Sequence, residues 1–139
     1  MNKLIIFLII TVLALVVDFI WITKIMKGFY LSGMGLHANV DAEGNLQPVL
    51  WSALAVYIII PLAVLVFVLD GAQAKPLIEI ILKGAFLGFC MYGVYDFTNY
   101  ATLKDWPLKM TLVDVMWGSF LCALLSGVGG YLSKIPTSG

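Results

Sequence analysis

Arginine is absent from this chain, and its eight cationic side chains are all lysine. No planar guanidinium can grip a phosphate or carboxylate through paired bonds. With a formal net charge of zero there is also no basic patch, so nucleic-acid binding is excluded as a function class. Cysteine is scarce too. Cys90 and Cys122 lie deep in separate apolar runs without metal-ligand spacing partners, which points to packing and to neither a disulfide nor a metal site. No metal or other cofactor is expected. The single histidine, His37, falls in a connecting segment and is read as solvated. Paired D-x-x-D runs and helix-borne histidines are missing, and phosphoryl or prenyl chemistry would need them.

Apolar sequence is present in excess. Hydrophobic residues make up 62% of the 139, against about 45–50% in a soluble domain, and mean hydropathy is +1.03. Crossing a hydrocarbon core takes about 20 apolar helical residues, and four such runs follow one another. They are read as spans over residues 4–23, 49–69, 77–100 and 107–131. The predicted fold is an all-α membrane protein, a four-transmembrane-helix bundle with a long first loop over Met26–Pro48. Residues 1–135 form one domain and residues 136–139 a tail. Asp18 to Trp21 stand where small residues would mark cleavage of a leader, so the first run is read as a retained span. Pro48, Pro76, Pro107 and Pro136 mark boundaries, whereas Pro61 lies inside the second span and predicts a kink through the carbonyl of Tyr57.

Acids inside the spans are few, and their depth is informative. At a rise of about 1.5 Å per residue, Asp18 and Asp96 lie some 6 to 8 Å before the ends of spans one and three, and Asp114 roughly 10 Å into span four. All three therefore belong to one leaflet. Trp21, Trp51, Trp106 and Trp117 share that side. An acid facing lipid near mid-bilayer costs about 2.5–3.5 kcal/mol, so the three are expected to face inward, with at least one protonated because burial and like charge disfavour further ionisation.

Helical spacing constrains the partners. Gly84, Gly88, Tyr92, Asp96 and Tyr100 recur every four residues, as do Asp114, Gly118, Cys122, Ser126 and Gly130. An antiparallel hairpin centred near Pro107 would bring small residues against small, Tyr100 level with Asp114, and Asp96 level with Gly118. A Tyr100 to Asp114 hydrogen bond is predicted. For the glycines, helix packing alone is a sufficient role. Asn99 shares a helical face with Asp96 and Tyr95. Asp18 with Trp21 and Asp114 with Trp117 share the pattern V-D-x-x-W, in which an indole offers an apolar wall and one N–H donor. The candidate ligand-binding residues are Asp18, Trp21, Tyr92, Tyr95, Asp96, Asn99, Tyr100, Asp114 and Trp117.

Asp18 with Trp21, the run Lys27-Gly28-Phe29-Tyr30, and chiefly YGVYDFTNYATLKDWPL followed by TLVDVMWGS resemble a family of small bacterial multi-pass membrane proteins classed as a domain of unknown function. The resemblance implies a bacterial inner-membrane location and supplies no activity.

Three readings follow. The first is a pocket, lined by acids and aromatic rings, that binds a small cationic or amphiphilic molecule, coupled to protons if it transports; four spans being few, transport favours a homodimer. The second is a structural or accessory subunit whose buried polar contacts set helix register. The third is a membrane-embedded enzyme using the aspartates as acid and base or as magnesium ligands. Lysines tie across the membrane, four on each side; both ends are expected to be cytoplasmic.

Overall fold

Helix ends are set by residues that relieve unpaired backbone groups. Asn2 accepts the Leu4 N–H at 2.8 Å, and Pro76 and Pro107 stand directly before two long helices. The computed structural model describes residues 1–136 and contains α1 (Lys3–Ile20), α2 (Lys27–Met34), α3 (Leu50–Ala63), α4 (Leu77–Thr102) and α5 (Leu108–Ser133). Two of these are prolonged by π turns, Trp21–Ile25 after α1 and Val64–Val68 after α3. The turns close through Met26 N–H to the Trp21 carbonyl at 2.8 Å and Leu69 N–H to the Val64 carbonyl at 3.0 Å. The second lies just past Pro61, whose missing N–H already interrupts the ladder there.

Four helices, Lys3–Ile25, Leu50–Val68, Leu77–Thr102 and Leu108–Ser133, are long and apolar enough to cross a membrane. The chain is an integral membrane protein. Beyond Pro136 the expected tail lies outside the described residues.

The long first loop is corrected by the structure. Much of that segment is ordered as α2, a 3₁₀ turn at Gly35–His37 and a short antiparallel bridge between Val40 and Leu46. Helix propensity hides α2, since it has eight residues and two of them, Gly28 and Gly33, are glycines. Tertiary contacts hold it instead: Tyr30 is buried in a small cluster with Trp106 and Met110.

Helix α5 is the hub, packed against α4 along its length and against α1, with the π turn after α3 closing the far end. Ile10, Ala14, Val64, Ile80, Leu121 and Leu125 form the shared apolar core. Lipid is as apolar as these side chains, so close contact rather than expulsion of water must hold the helices together. The α4–α5 hairpin shows how close. A methyl group at Gly84 would lie 2.6 Å from the Cys122 carbonyl oxygen, and one at Gly88 would lie 2.7 Å from the Gly118 carbonyl carbon.

That register differs from the predicted one by a helical turn. Tyr92, not Asp96, lies against Gly118, and Asp96 meets Asp114. The hairpin is centred on Asp105, a non-glycine residue with φ of 60°, because α4 runs on to Thr102 and α5 begins at Leu108. Two residues of displacement in the turn move every facing pair by about four.

At the other end, where the Met1 amine donates to the Ile135 carbonyl at 2.7 Å, Lys3 pairs with Asp70 at 3.1 Å, and Lys134 donates to the carbonyl of Lys75 at 2.7 Å. We call this the terminal side. The end bearing α2 and the 103–107 turn is the loop side.

Candidate functional site

The loop-side half of the bundle contains the polar groups that the spans cannot leave in lipid. Asp18, one turn before α1 gives way to its π turn, is buried and has both oxygens engaged. Trp117 Nε1 of α5 donates to one at 2.7 Å, and the Tyr57 hydroxyl of α3 donates to the other at 2.7 Å. One carboxyl group thus ties three helices.

Asp114, on α5, receives its donor from outside the spans. The Tyr30 hydroxyl of α2 donates to it at 2.5 Å, and Trp21 Nε1 donates to the Tyr30 oxygen at 3.1 Å. Burial, and then the neighbouring Asp114 carboxylate, hold the Tyr30 phenol far above its ordinary pKa, so it remains a proton-bearing donor.

The two V-D-x-x-W patterns are therefore crossed. The second tryptophan serves the first aspartate directly, and the first tryptophan reaches the second aspartate through Tyr30. Between them the indoles of Trp21 and Trp117 lie parallel, centroids 4.0 Å apart and planes within 3°. Antiparallel α1 and α5 carry the same short pattern, and an exchange of donors between them follows from that geometry.

Asp96 differs from both. It is fully buried on α4, and among the described residues neither of its oxygens meets a hydrogen-bond donor. What it faces is the carboxyl of Asp114. Two ionised carboxylates offer only acceptors, so a hydrogen bond between them requires a proton held by the pair. The Thr111 hydroxyl donates to the Asp96 backbone carbonyl at 3.4 Å and not to the carboxyl.

Among the residues singled out from the sequence, Asp18, Trp21, Tyr92, Asp96, Asp114 and Trp117 converge. Tyr92 lays its ring over Gly118. Tyr95 and Tyr100 do not join them, being exposed on the outward face of α4 at 58% and 47%. The predicted bond from Tyr100 to Asp114 is absent: the one-turn change of register takes Tyr100 past the acid, and Tyr30 occupies its place. Asn99 is half-buried, and its backbone carbonyl accepts the Leu103 N–H at the end of α4.

Two participants were missed, Tyr30 and Tyr57. For Tyr57 a signal existed, a phenol in mid-span that needs a polar partner when buried. Tyr30 lies in the segment expected to be a loop, and only the fold of α2 turns it inward.

Above the acids the connecting segment is tied down. Asp41 accepts backbone N–H groups from Asn45 at 2.8 Å and Glu43 at 3.0 Å, which hold its carboxyl below the usual range, and Lys27 donates to the Asn45 side chain at 2.6 Å. Surface grooves lie elsewhere. One is between Phe67 and the terminal-side half of α4 near Phe86, the other beneath residues 38–50. Among the described residues no group of three or more His, Cys, Asp or Glu side chains could hold a metal ion.

A family model described as a predicted membrane protein, DUF2177, matches residues 3–131. No curated protein and no solved structure matches the chain. With nearly its whole length covered, and with four spanning helices arranged around a crossed pair of acids, the chain belongs to the DUF2177 family of membrane proteins, whose function is unknown.

Proposed function

We propose that this protein binds a small organic cation at the Asp96–Asp114 pair in exchange for the proton that the pair holds. Asp96 carries this reading: a fully buried carboxyl with no donor but a second carboxyl. Such a group is unfavourable in a low-dielectric interior unless it is protonated or neutralised, and a bound cation does the second. The stacked indoles and the Tyr92 ring offer faces on which the apolar body of that cation can lie. Exchange of cation for proton is the basis of proton-coupled transport. Since the acids occupy one half of the bundle, translocation would call for a second copy of the chain.

The test is calorimetry on the detergent-solubilised protein with methylammonium, butylammonium and phenylethylammonium, in buffers of different ionisation enthalpy. Binding with release of a proton, lost in Asp96→Asn, is expected. If none of the amines binds, or if Asp96→Asn binds them with the same proton release, the reading fails.

Asp18 supports a second role. With both oxygens satisfied by Trp117 and Tyr57, it fixes the register of α1, α3 and α5, the accessory role of a buried polar contact. The location is read as a bacterial inner membrane with the terminal side cytoplasmic. Labelling of single cysteines placed at Asn39 and Gln73 tests that sidedness.

A further inference from the structure

Helix α2 is set apart from the other helices. It is too short to cross a membrane, and it lies over the loop-side end between α1 and the start of α5. Both of its ends leave helical geometry. Met26 has φ −115° and ψ 14°, and Gly35 has φ 51° and ψ −124°, a conformation that side-chain-bearing residues rarely adopt. These are positions where a short helix can swing without unwinding.

The face of α2 turned inward makes specific contacts. Tyr30 reaches Asp114, Gly33 sits on Met110, and Lys109 approaches the Phe29 ring at 5.8 Å. The opposite side is open, with nothing near Gly28. At the N-terminal end one side-chain bond, Lys27 to Asn45, links the helix to the 38–48 segment.

Trp106 shares the small buried cluster with Tyr30, and among the described residues its indole N–H has no acceptor; Asp96, beside the Asp114 carboxyl that accepts from Tyr30, has no donor other than that acid. Unsatisfied buried groups are rare in folded proteins. A ligand with a donor for the acids would satisfy Asp96. Tyr30 already makes one of the contacts such a ligand would make, donating a hydrogen bond to Asp114.

We propose that α2 is a lid and that the Tyr30 hydroxyl fills, in the closed state, the donor position taken by a protonated amine when the lid opens. This rests on the cation-binding reading above and extends it to how the site is reached. Opening about Met26 and Gly35 would carry Tyr30 off Asp114 and expose the acid pair to the loop-side interface.

A disulfide can lock the lid. A Cβ at position 33 would lie 3.6 Å from that of Met110, within the separation of about 3.5–4.5 Å that a disulfide spans. Gly33→Cys with Met110→Cys, in a Cys90→Ala background, is reconstituted in nanodiscs and assayed for modification of Asp96 and Asp114 by dicyclohexylcarbodiimide, and for phenylethylammonium binding. Oxidation should slow modification and weaken binding, each by about tenfold or more, with reduction restoring both. Tyr30→Phe, which removes the competing donor, should speed modification by a similar factor, while Tyr100→Phe leaves it unchanged.

Equal modification of the oxidised and reduced forms overturns the lid, whether or not the amine binds. Disulfide-dependent modification without amine binding in either form sustains the lid and refutes the cation reading. If the paired-cysteine variant does not fold, an unchanged modification rate in Tyr30→Phe is sufficient to reject the proposal.

Discussion

Asp18 offers the sharpest energetic test, because its carboxyl has two partners and both are known. Trp117 Nε1 and the Tyr57 hydroxyl each lie 2.7 Å from one of its oxygens. Contacts of this kind between membrane helices contribute about 0.6 kcal/mol on average and up to about 1.7 kcal/mol. The short distances, the charge-assisted geometry and the burial of Asp18 place these two toward the upper end. Together they should contribute on the order of 2 kcal/mol.

Asp18→Asn keeps one oxygen for the indole and can turn its amide toward Tyr57, whose hydroxyl also accepts, so a loss of only about 1 kcal/mol is expected. Asp18→Ala leaves an indole N–H and a phenol without acceptors and opens a space, which raises the loss to about 3 kcal/mol or more. A double-mutant cycle with Trp117→Phe, read by reversible unfolding in mixed micelles, should give a coupling energy near 1 kcal/mol. Phenylalanine removes the donor and preserves an aromatic ring on Trp21. A coupling indistinguishable from zero, or equal losses for Asn and Ala, would refute the claim that Asp18 joins the helices through these bonds.

Other expectations follow from packing, access and the loop. Gly88→Ala places a methyl group against the Gly118 backbone, where nothing flexible can yield, so the hairpin should lose about 1–3 kcal/mol in the same unfolding assay, and a wild-type transition would place α4 and α5 further apart than described. In detergent at alkaline pH a membrane-permeant maleimide should label Cys90, which is exposed on the outer face of α4, faster than Cys122, which is buried, as read by mass spectrometry of the intact protein; labelling of Cys122 as fast as a labelled Cys90 would contradict the burial of α5. Asp41 has its folded-state pKa lowered by the Asn45 and Glu43 amides, so its support for the 41–45 turn is present at neutral pH and is lost as pH falls through that lowered value. Amide exchange at Glu43 and Asn45 should therefore quicken beyond its intrinsic pH dependence in strong acid, and Asp41→Asn should weaken that acid response.

Much of this protein was legible in the order of its residues. Long apolar runs bounded by proline dictate four spanning helices, because a backbone in lipid must satisfy its own hydrogen bonds. Fixed rise per residue then places Asp18, Asp96 and Asp114 at similar depth without reference to any fold. Asp18 and Asp114 were also marked as a pair by their shared V-D-x-x-W pattern, although the pattern did not say that each tryptophan would serve the other's aspartate.

Tertiary structure alone decided which groups meet. A hairpin turn centred on Asp105 instead of Pro107 moves the facing pairs by a helical turn, replacing Tyr100 with Asp96 as the α4 side chain beside Asp114. Small residues at four-residue spacing permit either register equally, and only the conformation of the turn separates them. Helix α2 was hidden for a related reason. Its glycines and short length give no local signal, and the contacts that form it, Tyr30 with Asp114 and Gly33 with Met110, bridge residues far apart in the chain.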